Sequence, residues 1–97
     1  MKNKDEIIIM INNLKSEVSE RYKVKSIGLF GSVVRDEQKE TSDMDVLVEF
    51  RDGADIFDLM GLELFLQDKL GHSVDVVSKM ALRDEIREAV LKEVIYT

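Results

Sequence analysis

Cysteine is absent from the 97 residues, which excludes disulfides, thiolate-bound zinc and thiol catalysis and leaves packing as the source of stability. No apolar run reaches the length of about 18 residues that a membrane-spanning helix needs. The opening Met1-Lys2-Asn3-Lys4-Asp5-Glu6 leads into charged residues without a small-residue cleavage site, so a soluble cytoplasmic protein with no membrane association is expected. Basic residues are in deficit: 14 Lys and Arg stand against 20 Asp and Glu, for a formal charge of −6. A passive nucleic-acid binder normally shows a basic surface that displaces counterions, so direct nucleic-acid binding is not expected, and a metal rather than lysine would have to meet phosphate. Arg21, Lys23 and Lys25 do gather, but interleaved with Glu17 and Glu20 they read as a solvated helix end. Linkers, repeats and low-complexity segments are also missing. A hydrophobic content of 44% over 97 residues suits a single domain, 1–97, with one core.

Ile7, Ile11, Leu14, Val18 and Tyr22 recur at helical spacing, which predicts an amphipathic helix over about 5–22. Lys25 to Phe30 is a short apolar strand ended by Gly31, and Ser32 to about Gln38 is expected to be a short helix. Met44, Val46, Val48 and Phe50 alternate with Asp45, Leu47 and Glu49, a half-buried strand whose acidic face points away from the core. After a turn at Arg51-Asp52-Gly53, Asp55 caps a helix through Ile56, Phe57, Leu59, Met60, Leu64 and Leu70, closed by Gly71. Its apolar content predicts deep burial. Ser73 to Val77 is a third strand, and Leu82, Ile86, Val90 and Val94 mark a final helix. His72, between Gly71 and Ser73, reads as a turn residue, and Tyr96 as packing or a frayed end.

The chemistry concentrates at Gly31-Ser32, Asp43-Met44-Asp45 and Asp75. Side chains two apart on a strand share a face, so Asp43 and Asp45 present neighbouring carboxylates while Met44 turns inward. With ten Asp in the chain, about one such pair arises by chance. Context carries the reading instead: Gly31-Ser32 follows one apolar strand, the acid pair opens another, and Asp75 stands mid-strand, where carboxylates are unwelcome. Two divalent ions held by shared carboxylates stabilise the incoming and leaving oxygens in attack on the α-phosphorus of a nucleoside triphosphate. Magnesium suits such a set because it takes oxygen ligands and keeps waters. Asp75 would complete the first metal and help deprotonate the attacking hydroxyl. Gly31 and Ser32, at a strand-to-helix turn, offer backbone N–H groups and a hydroxyl to β- and γ-phosphates. Alternatively, Gly31 only turns the chain and Ser32 caps a helix.

Leu29-Phe30-Gly31-Ser32-Val33-Val34-Arg35, then Ser42-Asp43-Met44-Asp45-Val46-Leu47-Val48 and Val74-Asp75-Val76-Val77, resemble the minimal nucleotidyltransferases of the polymerase-β superfamily over nearly the whole chain. The resemblance implies an α+β (α/β) fold with a small mixed sheet of three to four strands packed by helices. It also implies Mg²⁺ (two ions) bound by Asp43, Asp45 and Asp75, and ATP as donor with its triphosphate on Gly31 and Ser32. Members this short are similar to antitoxins that attach AMP to a tyrosine of a partner HEPN-domain ribonuclease toxin, in homo- or hetero-oligomers. Larger relatives carry a second, acceptor-recognising domain, for which 97 residues leave no room. The family often places Gly after the arginine, whereas Asp36 follows Arg35 here. Arg35 either reaches phosphate or acceptor, or pairs with Asp36, Glu37 or Glu40. Two functions remain open: an enzyme transferring AMP to a partner hydroxyl, and a binding module that neutralises a toxin by occlusion. Clustered carboxylates repel one another and would cost stability without a metal, which counts against the second.

Overall fold

The computed structural model describes residues 3–39 and 41–97. Along the chain run α1 (Lys4–Tyr22), β1 (Val24–Phe30), a 3₁₀ turn at Gly31–Val33, β2 (Met44–Phe50) and α2 (Ile56–Leu70). They are followed by β3 (Val74–Ser78), a second 3₁₀ turn at Lys79–Ala81, α3 (Asp84–Glu93) and β4 (Ile95–Tyr96). The strands form one mixed sheet in the order β3-β2-β1-β4, with β2 antiparallel to β1 and parallel to β3, and β4 antiparallel to β1. This is the expected small α+β architecture. Among the described residues, no helix is long and apolar enough to cross a membrane.

Local chemistry explains the boundaries. The Asn3 side chain accepts the Glu6 N–H at 2.9 Å, and Asp5 and Glu6 complement the positive end of α1. Two parallel strands require a crossover, and α2 supplies it between β2 and β3. Its start is fixed by a reciprocal cap: Asp55 Oδ1 accepts the N–H groups of Phe57 and Asp58 at 3.0 and 3.1 Å, while Asp58 Oδ2 accepts the Asp55 N–H at 3.0 Å.

One face of the sheet carries the main core. Ile7, Ile11 and Val18 of α1 and Leu62, Leu66 and Leu70 of α2 pack there on Ile27, Leu29, Met44, Val46, Val48, Val74 and Val76. The opposite face is not left to solvent: Leu47 is 1% exposed and packs with Leu82 and Val90, flanked by Phe30, Val77, Leu91 and Val94. The acidic face expected of β2 is therefore interrupted by a second small core, because α3 folds back over it.

Three further expectations are corrected. Deep burial of α2 holds for Leu62, Phe65, Leu66 and Leu70, but Ile56, Phe57, Met60 and Leu64 stand 54–76% exposed. A helix laid on one face of a sheet buries only one stripe. Ser32 to Gln38 is not a helix beyond its 3₁₀ start. Asp36 takes a positive φ of 57°, and the Glu37 N–H closes the turn on Ser32 O at 2.9 Å. The last helix begins at Asp84 and stops at Glu93. After it, Ile95 and Tyr96 form an edge strand against Gly28 and Leu29, with the Thr97 N–H bonded to Ile27 O at 3.0 Å. Glycine at position 28 is what admits this strand, since a Cβ there would lie 2.9 Å from Ile95 O and 2.8 Å from Val94 Cγ2.

The one-sided burial of α2 is testable by paired truncations. Leu62→Ala is expected to destabilise the protein by about 2–5 kcal/mol, and Leu64→Ala by no more than about 0.5 kcal/mol, in urea unfolding at constant slope. Equal losses would contradict the assignment of faces.

Candidate active site

The sheet register determines which acids meet. In the parallel β2–β3 ladder Asp45 lies directly beside Asp75, and on its other side Asp45 pairs with Phe30, the last residue of β1. Asp43 stands just outside β2, where the Met44 N–H bonds Ser73 O at 2.9 Å at the start of the β2–β3 pairing. Met44 points into the core at 4% exposure, so alternation turns Asp43 and Asp45 to the other side. The structure thus brings the three aspartates to one end of the sheet, Asp43 and Asp75 exposed and Asp45 half-buried.

Their proximity has an electrostatic signature. The Asp45 carboxyl is raised above the usual range, first by burial, then by the charges of Asp75 and Asp43; Arg35 opposes the shift and Glu93 adds to it. Glu63, on α2, is also raised by burial and by Asp75 and Asp43, which places it in the same field. It lines a shallow depression with Met60, Leu64 and Gln67. Among the described residues, no three acids or histidines close into a finished cation cage. The donor set nonetheless suits magnesium, which is ordinarily held by one or two carboxylates, waters and substrate phosphate rather than by protein alone.

Gly31 follows Phe30 with φ +79°, and a Cβ at this position would strike Asp45 Oδ2. Glycine therefore permits both the turn and the approach of the carboxylate. Half-buried Ser32 follows it. The Gly31 N–H donates to Glu93 Oε2 at 3.0 Å, and Arg35 Nη1 donates to Glu93 Oε1 at 2.5 Å. Arg35 Nε also donates to Glu37 Oε2 at 3.0 Å. Of the partners expected for Arg35, Glu37 is found, and Glu40 lies outside the described residues. Glu93 and Glu63 were not anticipated, because each reads in the sequence as an ordinary polar position on an amphipathic helix. His72 occupies its turn with Nδ1 3.0 Å from Ser73 O. The basic cluster is a solvated set of pairs, Arg21–Glu17 at 2.9 Å, Lys25–Glu49 at 3.7 Å and Lys23–Asp58 at 3.9 Å.

A mixed sheet that delivers clustered acids and a glycine–serine turn to one end is the architecture of nucleotide-transferring enzymes. The chain belongs to the nucleotidyltransferase domain family, whose sequence signature matches residues 11–97. It is similar to the protein adenylyltransferase MntA of Thermococcus cleftensis, with 42% identity over 92 residues that cover 95% of this chain and 93% of the relative. A solved structure described as a minimal nucleotidyltransferase superposes with a TM-score of 0.75 at 36% identity, covering 91% of this chain and 93% of its own. The same fold recurs in a solved complex described as a tri-AMPylated Shewanella oneidensis HEPN toxin with its MNT antitoxin. There the TM-score is 0.65 at 21% identity, over 93% of this chain and 70% of that one.

The raised Asp45 carboxyl has a consequence for stability. Above its folded-state pKa the ionised group opposes folding, and the penalty fades as pH falls through that value toward the unfolded one of about 3.9. Asp45→Asn is therefore expected to melt above the wild type at pH 7 in divalent-free buffer, with the gap closing near pH 4, as followed by calorimetry. A wild type that melts higher than the variant at pH 7 would contradict the raised Asp45 carboxyl.

Proposed function

We propose that the chain transfers AMP from ATP to a hydroxyl, that of a tyrosine, on a HEPN-type ribonuclease toxin and so acts as its antitoxin in the cytoplasm. The observation that carries this reading is the in-register Asp45–Asp75 pair beside the Gly31–Ser32 turn, with Asp43 at the mouth of the same strand. The adenylyltransferase name of the Thermococcus relative and the toxin-bound neighbour of the same fold support the reaction and the partner.

Asp43, Asp45 and Asp75 would hold two magnesium ions, which supply charge neutralisation for the triphosphate and for the displaced oxygen. The hydroxyl of Ser32 and the amides of its turn receive the β- and γ-phosphates. Asp75, exposed at the rim, accepts the proton of the arriving hydroxyl. The acceptor oxygen bonds to the α-phosphorus, the bond from that phosphorus to the α,β-bridging oxygen breaks, and pyrophosphate leaves. The raised Asp45 carboxyl, held up by burial and by the charges of Asp75 and Asp43, disfavours a purely occluding module, since at neutral pH it costs stability that cation binding would recover.

The test is to incubate the protein and its co-purified partner with Mg²⁺ and ATP labelled at either the α- or the γ-phosphate. The α label is expected on the partner and the γ label is not. Asp43→Asn/Asp45→Asn should lower transfer by more than about 100-fold, beyond the loss from removing an outer-shell group. A stable partner complex that gains no α label, or a variant that still transfers, would overturn the reading in favour of occlusion.

A further inference from the structure

Glu93 is the last residue of α3, and its two carboxylate oxygens serve different partners. One accepts the backbone N–H of Gly31 at 3.0 Å and the other the Arg35 guanidinium at 2.5 Å. The side chain is 21% exposed, less than the 63% of Glu37, the other acid on Arg35, so water competes less for the Glu93 contact. Both contacts are charge-assisted, the stronger class of hydrogen bond. The residue is held from both sides: Val90 is buried against the second small core, and Ile95 is paired with Leu29 in the sheet.

The location is otherwise unfavourable for an acid. A negative charge in the last turn of a helix opposes the helix dipole, and here it also adds to the repulsion felt by Asp45. The contact it makes offsets both. Gly31 is the residue with most to gain from being held, because it occupies a positive φ of 79° and glycine loses more conformational freedom on ordering than any other residue.

We infer that Glu93 is a positioning residue for the triphosphate-binding turn, its carboxylate holding the Gly31 amide and the Arg35 guanidinium in place before nucleotide arrives. The inference rests on the nucleotidyltransferase reading of the site. Because the Gly31 N–H is already engaged, and those of Val34 and Arg35 are bonded to Gly31 O at 3.1 and 3.3 Å, phosphate is received by the hydroxyl of Ser32 and the N–H groups of Ser32 and Val33, and Glu93 acts through the turn rather than on the substrate. Preorganisation of this kind strengthens binding by removing the ordering cost from the binding step.

The experiment combines calorimetric titration of Mg²⁺ and AMP-PNP, a non-hydrolysable ATP analogue, with the amide NMR resonance of Gly31. It uses wild type, Glu93→Ala and Glu93→Gln. Glu93→Ala is expected to bind AMP-PNP about tenfold more weakly, with the Gly31 amide shifted upfield and circular dichroism unchanged. Glu93→Gln keeps an oxygen for the Gly31 amide but loses the charge facing Arg35, so it should retain most of the amide shift and weaken binding only about threefold. In the wild type the Gly31 amide should keep its bonded position when AMP-PNP is added. Binding by Glu93→Ala as tight as wild type or tighter overturns the inference. If Glu93→Ala does not fold, Glu93→Gln decides alone by the same criterion. Wild-type protein that binds no AMP-PNP overturns the underlying nucleotide reading along with the inference, which separates that failure from a failure of Glu93 alone.

Discussion

The parallel pairing of β2 with β3 is the constraint on which the rest of the structure depends. It sets Val46 beside Val76 and Met44 beside Val74 on the core side, and by the same register sets Asp45 beside Asp75 on the other. A slip of one residue would turn every side chain of one strand to the opposite face, burying a carboxylate and exposing valine. Burial of the valines thus enforces the approach of two groups that repel one another. Hydrophobic packing, not an attraction within the site, holds the acids together.

That arrangement shapes its surroundings. The antiparallel β1 ends next to Asp45, so the chain must turn away at once, and only glycine fits between the turn and the carboxylate. Arg35 partly offsets the acidic field, and Glu93 ties it and the turn to the C-terminal end of α3. Local rules are strained at this one end of the sheet: a glycine at positive φ, Asp36 at positive φ, a raised carboxyl and an acid at the wrong end of a helix. Another non-glycine residue at positive φ, Lys23, lies at the far end of β1 and closes α1, but four such departures gathered at one end of the sheet mark it as the candidate site.

Much of this is legible in the amino-acid sequence because it follows from short-range periodicity. The period-2 pattern of Met44 to Phe50 located β2 and the outward turn of Asp43 and Asp45, and the caps at Asp55 and Gly71 bounded α2. The unusual residue after Arg35 also has a structural meaning: Asp36 adopts the left-handed conformation for which glycine is the easier choice. What stayed hidden depends on long-range packing. The burial of Leu47 requires knowing that α3 folds back over β2. The exposed stripe of Ile56, Phe57, Met60 and Leu64 requires knowing that α2 lies on one face only. The strand at Ile95–Tyr96 is two residues long, too short for any periodicity. Glu93 meets Gly31 across 62 positions of sequence, and no local pattern marks such a contact.

On the proposed reading, one end of the sheet gathers the groups that would hold cation and triphosphate. The most direct measurement is paramagnetic broadening of assigned amide resonances on titration with Mn²⁺ in the presence of AMP-PNP. The account predicts broadening centred on residues 43–45, 75 and 31–33, with α1 and the far end of β2 unaffected. Broadening centred elsewhere, or spread evenly over the acidic surface, would contradict it.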